Sequence, residues 1–378
     1  MKITDVKVFT LVAPLKEPWR IAKVVMREMS ATIVEIFTDE GIIGVGECLT
    51  RLSPLTTRSI VGEILRPILI GADSLDVEVL WEEMFSSMRT RGHHKGFMIE
   101  AISGVDIALW DIIGKALDLP IYKLLGGCYR DKIKIYASSL LFKDTEVLVK
   151  EATELVEEGY SAIKLKIGQG LQKDIKNIKA IRKAVGDDIQ FMVDANSAFD
   201  ASTAIKLARE LEEYDIFWFE EPVPPDDIDG YAKITKASRV PIAAGESEFT
   251  RFGFKDLITR GGVSIIQPDV SRAGGISECK KITAIANAYN LPYSPHTGAS
   301  GAVNIAASLQ LAAGISNFLV FEYMYPPNPL RENILQEPLP EPKNGYIEIS
   351  DEPGLGIELD RKAVSKYLSN YSATDSPH

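Results

Sequence analysis

The spacing of apolar and polar residues changes once along the chain, near residue 130. Before that point, Met1–Leu11 and Ala31–Gly46 alternate charged and apolar side chains, which predicts antiparallel strands, the second broken by a turn at Asp39–Glu40–Gly41. Apolar residues then recur at helical spacing from about Ile60 to Met88, and again from Glu100 through AISGVDIALWDIIGKAL to Leu117. Strands followed by helices predict an α+β unit over residues 1–125, punctuated by Gly126–Gly127.

From Lys132 onward the pattern becomes short β-rich runs: KIKIYAS, AIKLKIG, IQFMVDAN, FWFEEP, PIAAGES, SIIQPD, LPYSPHT and FLVFEY. Amphipathic segments such as DTEVLVKEATELVEEG and ECKKITAIANAYN separate them. The repeat, one strand and one helix in roughly 25–30 residues, signals a barrel or a stacked array. The fold expected is α/β, a TIM barrel of (β/α)7β type over residues 126–325 with the α+β unit as its cap. An open doubly wound sheet is the structural rival. After Tyr323 the chain turns Pro-rich (YPPNPL, EPLPEPKNG), so residues 326–378 are expected to return to the cap. The final SATDSPH has the composition of a disordered tail.

Seven of the eight runs end in ionisable residues: Lys164 and Lys166, Asp194, Glu220–Glu221, Glu246, Asp269, His296 and Glu322. Asp194, Glu220 and Glu246 recur every 26 residues, His296 follows Asp269 by 27, and Glu322 follows His296 by 26. Spacing of one βα unit puts these side chains at one height around one barrel mouth, where barrel enzymes carry their chemistry. Taken singly, a carboxylate at a strand end more often caps the next helix, and a lone histidine is more often structural. Seven such residues in phase outweigh those readings. Lys164 and Lys166 would form a solvated face on an edge strand, but inside a closed barrel they must share a desolvated side and need anionic neighbours.

Composition narrows the partners. The 378 residues are 46% hydrophobic and 25% charged, ordinary for a globular protein with a large core. A net charge of −11 and a pI near 5.1 argue against nucleic-acid and anionic-membrane partners, though not against a small anion beside a bound cation. Cys48, Cys128 and Cys279 share no metal-ligand spacing, which fits a reducing cytoplasm. The N-terminus lacks the apolar core of a signal peptide, and no run of eighteen apolar residues occurs, so a cytoplasmic protein is expected.

Three carboxylates on neighbouring strands form a hard oxygen site that selects Mg²⁺, or Mn²⁺, over zinc. Lys166 and His296 would face that metal as two bases on opposite sides of one carbon. The metal and the Lys164 ammonium are expected to depress the Lys166 pKa. Asp269 would accept a hydrogen bond from His296 and fix its tautomer.

The series KLKIG, VDAN, WFEEP, AGES, QPDVSRAGG, PHT and FEY, behind AISGVDIALWDIIGKALDLPIYKLLGG, resembles the enolase superfamily, and within it the mandelate racemase group with its many acid-sugar dehydratases. The resemblance spans about residues 1–360. It implies one Mg²⁺ per subunit on Asp194, Glu220 and Glu246, and removal of the α-proton of a carboxylate substrate through an enediolate. Lys166 would be the base for one configuration, with Lys164 touching the carboxylate. His296, paired with Asp269, would serve the other configuration or expel a β-hydroxyl. Glu322 would hydrogen-bond the carboxylate from the side opposite Lys164, as an acid. Asn196 would contact substrate, and Glu221 would support the ligands.

The resemblance also places specificity on cap loops, Leu15–Val25 with Trp19, Arg20 and Lys23, and Cys48–Leu55 with Arg51. RTRGHHKG over residues 89–96 is either a lid for a polar acid or solvated surface. Cycloisomerases resembling muconate lactonising enzyme are set aside, because Arg272 and Gly274–Gly275 stand where they carry a lysine. The expected reaction is dehydration of an aldonate or aldarate to a 2-keto-3-deoxy acid. Racemisation or epimerisation of a 2-hydroxy acid is the alternative, and a non-catalytic barrel is the third. A homo-oligomer is expected.

Overall fold

A computed structural model describes residues 1–51 and 53–369, so the predicted disordered tail lies outside the described residues. The chain opens with an antiparallel sheet of β1 (Ile3–Ile21), β2 (Val24–Thr38) and β3 (Ile43–Cys48), in that order. The Asp39–Gly41 turn joins β2 to β3. Helices α1 (Pro54–Ile60), α2 (Arg66–Leu69), α3 (Val77–Arg89), α4 (Phe97–Leu117) and α5 (Ile121–Leu124) follow. Helix α4 is apolar nearly all round, so it is buried on most sides. It meets β3 backbone to backbone: a Cβ on Gly46 would overlap the Gly104 carbonyl oxygen, and one on Gly44 the Ala108 carbonyl oxygen.

The second unit alternates strand and helix: β4 (Lys132–Leu140), α6 (Thr145–Glu157), β5 (Ala162–Lys166), α7 (Leu171–Val185), β6 (Gln190–Asp194), α8 (Ala201–Leu211), β7 (Ile216–Glu220), α9 (Ile228–Ala237), β8 (Ile242–Ala244), α10 (Thr250–Asp256), β9 (Ile265–Ile266), α11 (Gly275–Ala288), α12 (Ala302–Gly314) and β10 (Phe321–Met324). These strands form one curled parallel sheet of seven, ordered β10-β4-β5-β6-β7-β8-β9. Asp200 and Asp227 cap α8 and α9 through the amides of Thr203 and Gly230.

The run LPYSPHT differs from the strand expected of it. Only Tyr293 bridges there, to Ile266 on one side and Phe318 on the other. Pro292 and Pro295 flank it, and each lacks the N–H that a ladder needs. The C-terminal segment, with α13 (Pro329–Glu332), β11 (Tyr346–Glu348) and α14 (Arg361–Tyr367), divides between the two units. Strand β11 pairs antiparallel with β4 of the second unit, whereas Leu368 bridges Leu11 and Arg361 pairs with Glu35 of the first at 2.5 Å. Among the described residues no helix is long and apolar enough to cross a membrane.

Buried acids on α4 fasten the units together. Asp106 accepts from the Ser277 amide at the start of α11, and Asp111 accepts from the amides of Val45 and Leu355. Burial pushes the Asp106 carboxyl up to about 7. An unfolded Asp titrates near 3.9, so between about pH 4 and 7 the folded chain holds a proton that the unfolded chain has lost. That contribution to stability is whole below pH 4 and disappears as pH rises through 7. Asp106→Asn should therefore show a smaller fall in melting temperature between pH 5 and 8 than the parent, by scanning calorimetry in matched buffers. Gly46→Ala should cost about 1–3 kcal/mol by urea denaturation, because the backbones of β3 and α4 must separate. An unchanged urea midpoint would refute that close approach.

Candidate active site

Period-two alternation builds the site in layers. Tyr136, Ala162, Met192, Trp218, Ala243, Ile265 and Val320 make an apolar cluster inside the sheet. Two residues further along six of these strands come Ser138, Lys164, Asp194, Glu220, Gln267 and Glu322. The alternation of side chains across a strand carries the polar set to the same lumen at the next height. Lys166, Asp194 and Glu220 are direct cross-strand partners on β5, β6 and β7. All are buried, and the layer below closes the mouth to water from beneath.

Charges that leave water together must compensate one another. Lys164 Nζ lies 2.6 Å from Glu220 Oε1 and 2.9 Å from Glu322 Oε1, and Lys166 Nζ pairs with Asp194 Oδ2. Trp218 Nε1 and Gln267 Nε2 donate to Glu220 Oε2 at 2.9 and 2.8 Å. Burial nonetheless pushes the Glu220 carboxyl up to about 7. Glu221, the residue expected to support the ligands, is raised well above the carboxylate range by burial and by Glu246. For Asp194 burial works the other way from its partners, and the two lysines win, holding it low.

The expectations for Lys166 and Glu322 both assume a cation or a substrate beside them. Among the protein's own groups Lys166 stands raised: burial disfavours the ammonium, but the Asp194 carboxylate beside it outweighs burial and the Lys164 charge, and the depression expected of it needs a metal's charge at Asp194. Glu322, expected to hydrogen-bond a substrate carboxylate as an acid from the side opposite Lys164, is Lys164's ion-pair partner and accepts from Ser138 Oγ at 2.7 Å and the Thr297 amide at 2.8 Å. Burial would raise its pKa, but Lys164 and His296 hold it well below the ordinary range.

Across the mouth, His296 Nδ1 lies 2.7 Å from Asp269 Oδ2, and His296 Nε2 lies 3.6 Å from Glu246 Oε2. Arg51 reaches in from the cap, its Nη2 3.1 Å from His296 Nε2 and 3.4 Å from Glu246 Oε1. A guanidinium only donates, so Nε2 carries the lone pair and Nδ1 the proton given to Asp269. Asn196, at a positive φ of 41°, turns back to donate from its amide to Asp194 Oδ1 at 2.8 Å.

The other cap residues fall elsewhere. Trp19 is buried with the apolar core, and Arg20 is exposed, its carbonyl accepting from the Phe142 amide. Among the described residues neither hydrogen-bonds a strand-end group. Lys23 Nζ donates to the Ser197 carbonyl at 3.0 Å, and Lys95 of the basic loop pairs with Glu248 at 2.7 Å. The sequence reading missed Ser138 and Gln267, although both sit in phase with the charged ends and were passed over because neither is ionisable. It also missed Glu47 and Asn304, which have no phase signal. A cavity of about 770 Å³ between the C-terminal segment and α12 includes none of these residues in its walls.

The acidic cluster suits a divalent cation. Asp194, Glu220 and Glu246 each present a carboxylate oxygen, all within 4.8 Å of one another, and Glu246 Oε2 is buried without a hydrogen-bond partner.

Residues 3–126 match the family described as mandelate racemase / muconate lactonizing enzyme, N-terminal domain, and residues 147–363 match that described as enolase C-terminal domain-like. A D-galactarolactone cycloisomerase of Agrobacterium fabrum is 37% identical over 97% of this chain and 99% of its own. A D-xylonate dehydratase of Haloferax volcanii is 35% identical over 89% of this chain and 85% of its own. Among solved structures, a racemase from Streptomyces coelicolor A3(2) with bound magnesium has a TM-score of 0.90 at 29% identity, covering 97% of this chain and 100% of that one.

Lys164→Met should leave Glu220 and Glu322 buried without their shared cation. Measured by chemical denaturation in EDTA, it should cost about 3–5 kcal/mol. A loss below 1 kcal/mol would mean that the pairing contributes little to the fold.

Proposed function

The chain belongs to the mandelate racemase / muconate lactonizing enzyme family of the enolase superfamily and is an enzyme, and from that premise we propose that it dehydrates a sugar acid, an aldonate or aldarate, to a 2-keto-3-deoxy acid. The observation that carries the reading is the pair of proton-transfer groups, Lys166 and His296, on either side of one carboxylate cluster.

In this reading Asp194, Glu220 and Glu246 hold one Mg²⁺, with Mn²⁺ able to replace it. The ion supplies positive charge for the oxygens of the substrate carboxylate as the α-proton leaves. Lys164 adds a buried positive charge beside that carboxylate. Lys166, as the free amine, accepts the α-proton at Nζ, and the C–H electrons become the new Cα–Cβ double bond. His296, held at Nδ1 by Asp269, takes up a proton at Nε2 when substrate displaces the Arg51 hydrogen bond there, and gives that proton to the departing β-hydroxyl, which leaves as water. The enol then gains a proton at Cβ and becomes the 2-keto acid. Glu322 keeps Lys164 charged, and Asn196 holds Asp194 in place. Arg51 reaches the substrate from the cap, whereas Trp19, in the core, and Arg20, at the surface, take no part in binding it.

The division into a cap of residues 1–125, a barrel of residues 126–325 and a returning segment of residues 326–378 belongs to the same proposal. So do closure of the sheet as a (β/α)7β barrel through Tyr293, and a cytoplasmic homo-oligomer. The bridges on both sides of Tyr293 support the closure.

The D-galactarolactone cycloisomerase relative favours a second reading, cycloisomerisation of a lactone, which lies outside the branch set aside at Arg272. If the β-oxygen belongs to a ring, the same proton abstraction and elimination opens the ring. The leaving group then stays attached, and the product is an isomer.

The test is a panel of aldonic acids, aldaric acids and their lactones with millimolar Mg²⁺, assayed with semicarbazide for 2-keto acid. At least one acid should give product, EDTA should abolish the signal, and Lys166→Ala and His296→Asn should each lower it by about 10²–10⁴-fold. Exchange of the α-proton in heavy water with no keto acid from any panel member would sink the dehydratase reading in favour of racemisation or epimerisation.

A further inference from the structure

Resting on the reading that His296 acts on substrate, we propose that Asn304 is a positioning residue for the Asp269–His296 pair, and that Glu47 of the cap sets Asn304 in place. Each side chain in this series is buried. Asp269 Oδ2 accepts from His296 Nδ1, and its Oδ1 accepts from the Ser271 amide at 2.8 Å, Ser271 Oγ at 2.6 Å and Asn304 Nδ2 at 3.2 Å. A carboxylate rotates about its Cβ–Cγ bond unless both oxygens are held. Ser271 is only two residues away and moves with its own loop. Asn304 comes from a different element, the first turn of α12, so it ties the carboxylate to the surrounding framework. The other Asn304 amide proton goes to Ser300 Oγ at 2.6 Å, and Ser308 Oγ donates to its Oδ1 at 3.4 Å, which fixes the plane of the carboxamide.

Asn304 is itself placed by the cap. Glu47, at the end of β3, accepts from the Gly301 amide through Oε1 at 2.7 Å and from the Asn304 amide through Oε2 at 3.0 Å. A carboxylate on the exposed amides of a helix start is favoured by their orphan donors and by the helix dipole. Its approach is close, since a Cβ on Gly301 would lie 2.7 Å from Glu47 Oε2. The chain leaves Glu47 and within four residues reaches Arg51, which touches the opposite nitrogen of the same imidazole. The Leu49 amide between them donates to the Ser271 carbonyl at 3.0 Å. One cap segment therefore orients His296 at both ring nitrogens: directly through Arg51 at Nε2, and through Asn304 and Asp269 at Nδ1.

The test begins without substrate, so it stands apart from the proposed reaction. The chain has four histidines, and in ¹⁵N-histidine-labelled, Mg²⁺-supplemented protein His296→Asn assigns the resonance of His296. The parent should show a single Nδ1–H tautomer with a slowly exchanging ring proton. Asn304→Ala should keep its melting temperature within a few degrees yet show a mixed tautomer and a ring proton that exchanges at least 10-fold faster. Asn304→Ser serves if the alanine variant does not fold, and Glu47→Gln should move the signal in the same direction. With the panel acid that the parent converts fastest, kcat should fall about 10-fold at unchanged KM. Exchange of the α-proton facing Lys166 should stay within two-fold. An unaltered His296 signal in a folded Asn304 variant overturns the proposal. So does an equal fall in turnover and in Lys166-side exchange, which marks a general structural role. Parent protein with the single tautomer but no turnover on any acid would instead count against the proposed reaction and leave the positioning of His296 standing.

Discussion

Burying many like charges in one place is the constraint on which the rest of this molecule depends. Asp194, Glu220, Glu221, Glu246, Asp269 and Glu322 are all desolvated at the ends of neighbouring strands. An isolated buried carboxylate costs far more than one fold can supply, so every member must be paired, hydrogen-bonded or protonated. The structure uses all three: Lys164 and Lys166 pair with three of them, Trp218, Gln267, Ser138 and Ser271 donate to them, and Glu220 and Glu221 are pushed toward the neutral form. The apolar layer around Trp218 and Met192 keeps water from relieving the cost from below. Short strands suffice, because only their last two residues need to be in register.

The N-terminal unit is tied to the strand ends at several points. Its α4 sends Asp106 to the start of α11, its β3 sends Glu47 to the start of α12, and the segment after β3 sends Arg51 into the charged cluster. Each contact uses an acid on free helix amides or a cation on carboxylates, interactions that gain strength in a dry interface. Close packing of Gly46 on Gly104 fixes β3 relative to α4, so these contacts share one rigid frame. The position of Arg51 over His296 is thus a consequence of packing more than 30 residues wide in sequence, from β3 to α4.

Much of this geometry is legible in the sequence, because a parallel βα repeat converts sequence period into height. Lys166, Asp194 and Glu220 occupy one row for the same reason that they recur at one βα unit. The contact of Asp269 with His296 followed from adjacency of their runs. What escaped was whatever depends on more than period. Prolines 292 and 295 reduced a predicted strand to one bridge at Tyr293. Which acid pairs with which lysine also escaped, because spacing alone places Lys164 and the acids at similar distances. Trp19 and Arg20 were chosen by loop membership, and the loop turns one of them into the core and the other to the surface. Glu47 and Asn304 meet across 257 residues of chain, a contact that no local pattern encodes.

The balance of charge at the mouth also bounds what can enter it. Six carboxylates face Lys164, Lys166, Arg51 and one histidine, so acids outnumber bases, and burial raises the pKa of two of the acids. A carboxylate ligand would bring another negative charge into this field. Bare electrostatics would repel it, since two like charges within a few ångströms in a dry site cost several kcal/mol. Added positive charge at the Asp194–Glu220–Glu246 cluster reverses that sign, and the orphaned Glu246 Oε2 is a free acceptor for it. The acids that are costly to bury are thereby the place where a cation would turn repulsion of a carboxylate into attraction.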